Sequence, residues 1–265
     1  MIAIRIFRQL CLAALGAVVA FVAAAAAEPL AAPKPVCALS RTSLDTTLPR
    51  TREALLYGRT LTIVAIGSSS TSGAGASSAA ASYPSRLEAL LQERFHAISI
   101  RVINRGVNGE EDADMLARFG RDVFAEKPDL VLWQVGANAV LRGRSMTNEE
   151  VLIRHGIERL KTSGVDVALI DLQYTPEVLS KAGAATMVDL IAAQARRESI
   201  GLFRRFEMMK EWRETAGMPF LAFSSPDGLH MNDWGYDCFA RNLAAAISES
   251  AAAPVMASTP ATSVR

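Results

Sequence analysis

The chain has 265 residues, of which 50% are hydrophobic, 21% charged and 6% aromatic, and its formal charge is +1. Such a composition excludes a disordered or collagen-like chain, and three cysteines are too few for a disulfide-dense mini-protein. The even charge balance argues against a nucleic-acid binder, which needs a concentrated positive face to displace counterions from phosphates.

The first predicted element is a signal peptide over residues 1–27. Arg5 and Arg8 make a positive start, residues 10–24 an uncharged apolar run, and Ala25-Ala26-Ala27 a small-residue cleavage site before Glu28. An uncleaved anchor is the alternative, since the run is almost long enough to span a membrane. Cleavage predicts an exported, periplasmic or secreted protein, slightly negative in charge and without stable membrane insertion. Cys37 and Cys238 are then the cysteines that remain. They form a bridge or stay as two separate thiols, and spacing does not decide between these.

Residues 28–52 are a lead-in rich in Pro, Thr, Ser and Ala, and residues 248–265 predict a disordered tail. Residues 53–247 between them form one domain. Short apolar runs that suit buried strands fall at 61–66, 98–103, 130–133 and 165–170, with a weaker one at 201–206. Helical spacing lies between them. Pro84 opens a stripe of Leu87, Leu90, Leu91 and Phe95. A second helix covers 112–124. Thr147-x-x-Glu150 has the form of a capping box before a third at 151–161, and two more cover 187–197 and 231–247. Strands that are apolar throughout and alternate with helices predict a parallel sheet covered on both faces, with reactive groups just beyond the strand carboxyl ends.

Small and polar residues follow the strands. Gly67-Ser68-Ser69-Ser70-Thr71 comes after the first, Asn108-Gly109-Glu110 after the second and Gly136-Ala137-Asn138 after the third, while Asp227-Gly228-Leu229-His230 precedes the last helix. A serine hydroxyl becomes a nucleophile only beside a base that a third group orients. Of the three histidines, His96 and His155 fit structural positions. His230 has Asp227 three residues before it, although that Asp also has the form of a helix cap. Gly109 and Asn138 are candidates for stabilising an oxyanion, with a tight turn and an Asx-turn as their plain alternatives. Trp133, Gln134, Gln173 and Tyr174 lie where they could line a pocket, with core packing the alternative for Trp133.

Together these blocks resemble the SGNH hydrolases, the GDSL-type esterases and lipases, over nearly all of the mature domain. The resemblance implies a single-domain α/β/α sandwich with a parallel, flavodoxin-like sheet. It implies Ser69 as nucleophile, His230 as base and Asp227 as its orienting acid. The backbone of Ser69, with Gly109 and Asn138, then makes the oxyanion hole. Two departures mark a divergent subgroup: Ser68 stands where the family usually has Asp, and Ala139 replaces the usual Asp after Asn138. No G-x-S-x-G elbow is present, no histidine pair has metal-ligand spacing, and no cofactor is implied. The expected function is an exported serine esterase acting on a small-molecule or carbohydrate ester, short acyl groups favoured. A lysophospholipase, a thioesterase or a catalytically silent polysaccharide-binding protein are the alternatives. The physiological ester and the oligomeric state are left open.

Overall fold

The computed structural model describes residues 36–38 and 43–253. The signal peptide expected at 1–27 lies outside them. In chain order the elements are α1 (Pro49–Leu56), β1 (Leu61–Gly67), α2 (Ser69–Ser72), α3 (Tyr83–Arg94), β2 (Ile100–Gly106), α4 (Asp112–Ala117), α5 (Phe119–Asp122) and β3 (Leu130–Gln134). There follow α6 (Ala137–Leu141), α7 (Met146–Thr162), β4 (Asp166–Ile170), α8 (Pro176–Leu179), α9 (Ala184–Glu198), β5 (Gly201–Phe203), α10 (Arg205–Lys210) and α11 (Asp233–Ala252).

Among the described residues, the five strands of the sheet are all parallel, in the order β2-β1-β3-β4-β5. This is the flavodoxin-like order, whose topological switch point lies between β1 and β3. Period-2 side-chain alternation divides each strand between two cores. Ile63, Ala65, Leu130, Leu132, Ala168 and Ile170 pack with Leu87 and Leu91 of α3 and Phe239, Leu243 and Ile247 of α11. Val64, Ile66, Val131, Trp133, Val167 and Leu169 face the other way, onto Met115, Ile153, Ile157 and Ile191 from α4, α7 and α9. The expected parallel α/β/α sandwich is therefore present.

Several boundaries differ from the sequence expectations, each for a local reason. The second strand is Ile100–Gly106 rather than 98–103, because the Gln92 side chain bonds Ile98 O and the Ile100 amide at 2.9 and 3.0 Å and ends the preceding turn there. As an edge strand, it tolerates the polar Asn104 and Arg105. The helix expected at 112–124 breaks into α4 and α5 at Arg118, whose buried guanidinium turns inward to donate to Gly67 O and Arg105 O at 3.2 and 2.8 Å. The Thr147–Glu150 capping box does not form. Ser145 is the N-cap residue of α7, and Glu150 instead accepts from Gln194 of α9 at 3.2 Å.

Neither flanking segment ends where its composition suggested. Leu44 and Leu48 of the lead-in are in the core, and α1 begins at Pro49. The last helix runs to Ala252 with Ser248, Ser250 and Ala251 buried, so the part of the expected tail up to that point is packed helix. Residues 254–265 lie outside the described residues. Cys37 and Cys238 are joined in a disulfide that ties the lead-in to α11.

Candidate active site

Parallel register brings the ends of β1 and β2 level, with Gly67 beside Gly106. The Val107 amide donates to Gly67 O at 3.0 Å, so the loop after β2 starts against the one after β1. A Cβ on Gly106 would stand 2.1 Å from the Ser72 amide nitrogen, closer than real contacts allow; only glycine lets α2 lie this close to β2.

Ser69 is the first residue of α2. Its neighbours Ser68 and Ser70 are buried, at 3% and 2% exposure. Ser68 is held by Gln134, which accepts from the Ser68 amide at 3.3 Å and donates to Ser68 Oγ at 3.0 Å. The same Gln134 accepts from Thr71 Oγ1 at 2.9 Å. The polar position after Gly67 is thus paired with a glutamine from β3, a partnership nothing in the sequence announced. Of the three serines, Ser69 has its Oγ 2.7 Å from His230 Nε2.

His230 Nδ1 lies 2.6 Å from Asp227 Oδ2. The other carboxylate oxygen of Asp227 accepts from Ser225 Oγ at 2.7 Å and from the Leu229 and His230 amides at 2.9 and 3.0 Å. Burial works against the charge on Asp227, but these donors and the imidazole outweigh it and hold the carboxyl well below the usual carboxylate range. A carboxylate fixed in this way selects the tautomer that carries hydrogen on Nδ1 and leaves Nε2 free to accept from Ser69. Asp227 does not cap the last helix; Asn232 does, accepting from the Gly235 amide at 3.0 Å. Gly75, at φ +86°, passes so close to the histidine that a Cβ there would lie 2.4 Å from Met231 O and 2.9 Å from His230 Cβ.

Asn138, in the first turn of α6, donates through Nδ2 to Glu110 O at 2.7 Å. One amide hydrogen remains for another acceptor. Glu110 follows Gly109, so this bond couples the loop after β2 to the turn after β3. Arg142 strengthens the coupling by donating to Gly109 O at 2.8 Å. Ser69, His230 and Asp227 are thus brought into one line, and Asn138 is tied to the Gly109–Glu110 loop through Glu110 O.

The pocket-lining candidates fare differently. Trp133 is fully buried and meets Phe119 edge-on at 5.1 Å, so core packing accounts for it. Gln134 and Gln173 are also buried, and Tyr174 is half-buried against Phe206 and Phe220. His96, just after α3, and His155, in α7, are exposed.

A hydroxyl, an imidazole and a carboxylate in line at the switch point of a flavodoxin-like sheet are the layout of an SGNH-type hydrolase. Comparison with known proteins agrees: the model of the Non-GDSL lipase-like family matches residues 36–253, and the chain belongs to that family. The acetylxylan esterase of Geobacillus stearothermophilus is 40% identical over 60 residues, 23% of this chain and 27% of that enzyme. Esterase TesA of Pseudomonas aeruginosa is 31% identical over 90 residues, 33% of this chain and 45% of that protein. The matched segments thus span less than half the length of these curated relatives. A two-domain esterase described as active on acetylated mannans superposes with a TM-score of 0.67 at 18% identity, covering 83% of this chain and 58% of the other, a likeness of fold.

Proposed function

We propose that the chain is an exported serine esterase that removes short acyl groups, acetyl foremost, from a carbohydrate or other small ester. The observation that carries this reading is the unbroken Ser69–His230–Asp227 line, with contacts of 2.7 and 2.6 Å.

The chemistry follows from the geometry. Ser69 Oγ attacks the ester carbonyl while its proton passes to His230 Nε2, and Asp227 stabilises the imidazolium that results. Negative charge then develops on the carbonyl oxygen. The Ser69 amide, lacking an intrahelical acceptor at the start of α2, the Gly109 amide and the remaining hydrogen of Asn138 Nδ2 are the donors assigned to it. Collapse of the intermediate breaks the ester C–O bond, and His230 returns the proton to the departing alkoxide. Water, activated by the same imidazole, releases the acid from Ser69.

Short acyl groups are favoured because the sequence shows no long apolar lid, and the matched acetylxylan esterase segment points the same way. Export rests on residues 1–27 and on the Cys37–Cys238 disulfide, since such bridges persist in oxidising compartments. Among the described residues no helix is long and apolar enough to cross a membrane. The test is a panel of esters on the chain from residue 28 onward, varying acyl length on one alcohol and then the alcohol on acetyl. Fastest turnover of acetyl esters, acetylated xylan among them, is expected. Turnover confined to long-chain acyl or lysophospholipid substrates would overturn the substrate assignment.

A further inference from the structure

The two oxyanion candidates outside the Ser69 turn belong to different loops, and a hole made from them works only if the loops keep register. At the surface the register is held by Asn138 Nδ2 on Glu110 O, by Arg142 on Gly109 O, and by Arg142 and Arg144 on the Glu111 carboxylate. Beneath lies Asp112, the first residue of α4 and only 2% exposed. Both of its carboxyl oxygens are 3.2 Å from the Gly136 amide. Gly136 sits at φ +80° immediately before α6, two residues from Asn138. A second buried carboxyl, Glu149 of α7, packs against that of Asp112, and its Oε2 meets no hydrogen-bond donor among the described protein groups. Two carboxyls pack this way out of water by sharing a proton. The third block has Ala139 where the SGNH pattern has Asp, and the carboxyl that meets this turn comes instead from α4.

Resting on the acyl-transfer reading above, we propose that Asp112 is a positioning residue for the oxyanion hole: sharing one proton with Glu149, it fixes the Gly136 amide and through it the turn that carries Asn138. Burial first, then the Glu149 carboxyl, pushes Asp112 well above the carboxylate range, and burial likewise raises Glu149. Among the charged groups around the pair, Glu111 raises both carboxyls further, while Arg144 lowers Glu149. Arg142 is engaged with Glu111, and Asp114 of α4 closes the Glu111 capping box. Since both carboxyls are raised, the pair keeps its proton to higher pH than ordinary carboxyls do, and the clamp is lost as rising pH removes that proton. Two facing carboxylates then repel across the α4–α7 contact, and the turn before Asn138 loosens.

The test combines turnover with amide NMR on the chain from residue 28 onward. Asp112→Ala should lower kcat by roughly 10- to 100-fold with KM within about twofold, the signature of a loosened transition-state donor. Asp112→Asn, which can still accept from Gly136, should recover most of that loss and remove the fall in kcat expected of wild type as pH rises through the titration of the pair. In wild type, the Gly136 amide and the Asn138 side-chain amide should shift together in one titration well above the carboxylate range, and Asp112→Asn should remove it. The NMR arm needs no turnover. If wild type hydrolyses no ester and no fluorophosphonate labels Ser69, the acyl-transfer reading fails, while the titration still decides whether Asp112 holds the turn. Resonances of Gly136 and Asn138 that stay still as pH is raised from the carboxylate range upward over the whole range in which the protein is folded, or a folded Asp112→Ala enzyme with wild-type kcat, would overturn the proposal.

Discussion

Cutting the Cys37–Cys238 disulfide should destabilise the fold by an amount that loop closure sets. The bridge closes a loop with a sequence separation of 201 residues. The chain-entropy relation gives about 5 kcal/mol at 25 °C for a loop of that size, and measured bridges usually deliver about 2–4. Cys37→Ala is the better variant, because Cys37 is half-buried whereas Cys238 is fully buried in the core and its truncation would add a cavity cost. With a urea slope of about 3 kcal/mol/M for a domain of this size, a loss of 3–5 kcal/mol moves the unfolding midpoint down by roughly 1–1.7 M. The assay is equilibrium urea unfolding of oxidised wild type and Cys37→Ala, with wild type in reductant as a third arm that should match the variant. Turnover in the absence of urea should persist, since Phe239, Leu243 and Ile247 keep α11 docked and with it the His230 loop. A midpoint within about 0.3 M of wild type at unchanged slope would refute the reasoning and make the bridge energetically idle.

Three further outcomes follow from the geometry. Asn138→Ala should reduce kcat by on the order of 10²-fold through loss of one oxyanion donor, and steady-state kinetics showing raised KM with intact kcat would make it a substrate-binding residue instead. Gln134→Leu strips partners from the Ser68 amide, Ser68 Oγ and Thr71 Oγ1 together and should cost about 2–5 kcal/mol in urea unfolding; a loss below about 1 kcal/mol would show that Gln134 does not hold this turn. Burial pushes the Asp171 carboxyl up to about 7 against the Phe206 amide and the charges of Arg205 and Arg204. Its pKa being raised, the stability its proton lends is complete at acid pH and lost as pH climbs to about 7, at no more than about 1.4 kcal/mol per pH unit. Thermal unfolding between pH 5 and 7 should therefore fall in wild type and be flatter in Asp171→Asn, and parallel curves would contradict this.

The strands were legible where burial is complete. β1 and β3 are buried along their whole length, and continuous apolar runs marked them to within a residue. The edge strand β2 was misplaced because Ile100 alone among its residues is fully buried, and the polarity of Arg101, Asn104 and Arg105 hides the pattern. The helix break at Arg118 had no sequence signal, since an arginine that caps strand carbonyls inside the fold has the same letter as one in water. In the candidate site, Ser69, Gly109, Asn138, Asp227 and His230 could be nominated because chemistry restricts the residue types able to serve there and the strand exits restrict where they stand. Their supporting partners could not be nominated. Gln134 follows an apolar strand like any polar terminus, Ser225 lies in an ordinary Pro226-Asp227 turn, and Asp112 with Glu149 would pass for acidic residues in the first turns of two helices. Only the packing of α4 against α7 brings those two carboxyls together.

The account rests on Ser69 as the activated nucleophile, and covalent labelling tests that most directly. Wild type and Ser69→Ala, both shown to be folded, would be treated with a fluorophosphonate at neutral pH and the modified peptide located by mass spectrometry. One adduct per chain, on Ser69, is expected, with no adduct in Ser69→Ala and a fall in ester turnover on the order of 10³-fold or more. An adduct on another serine, or ester hydrolysis retained in Ser69→Ala, would contradict the account.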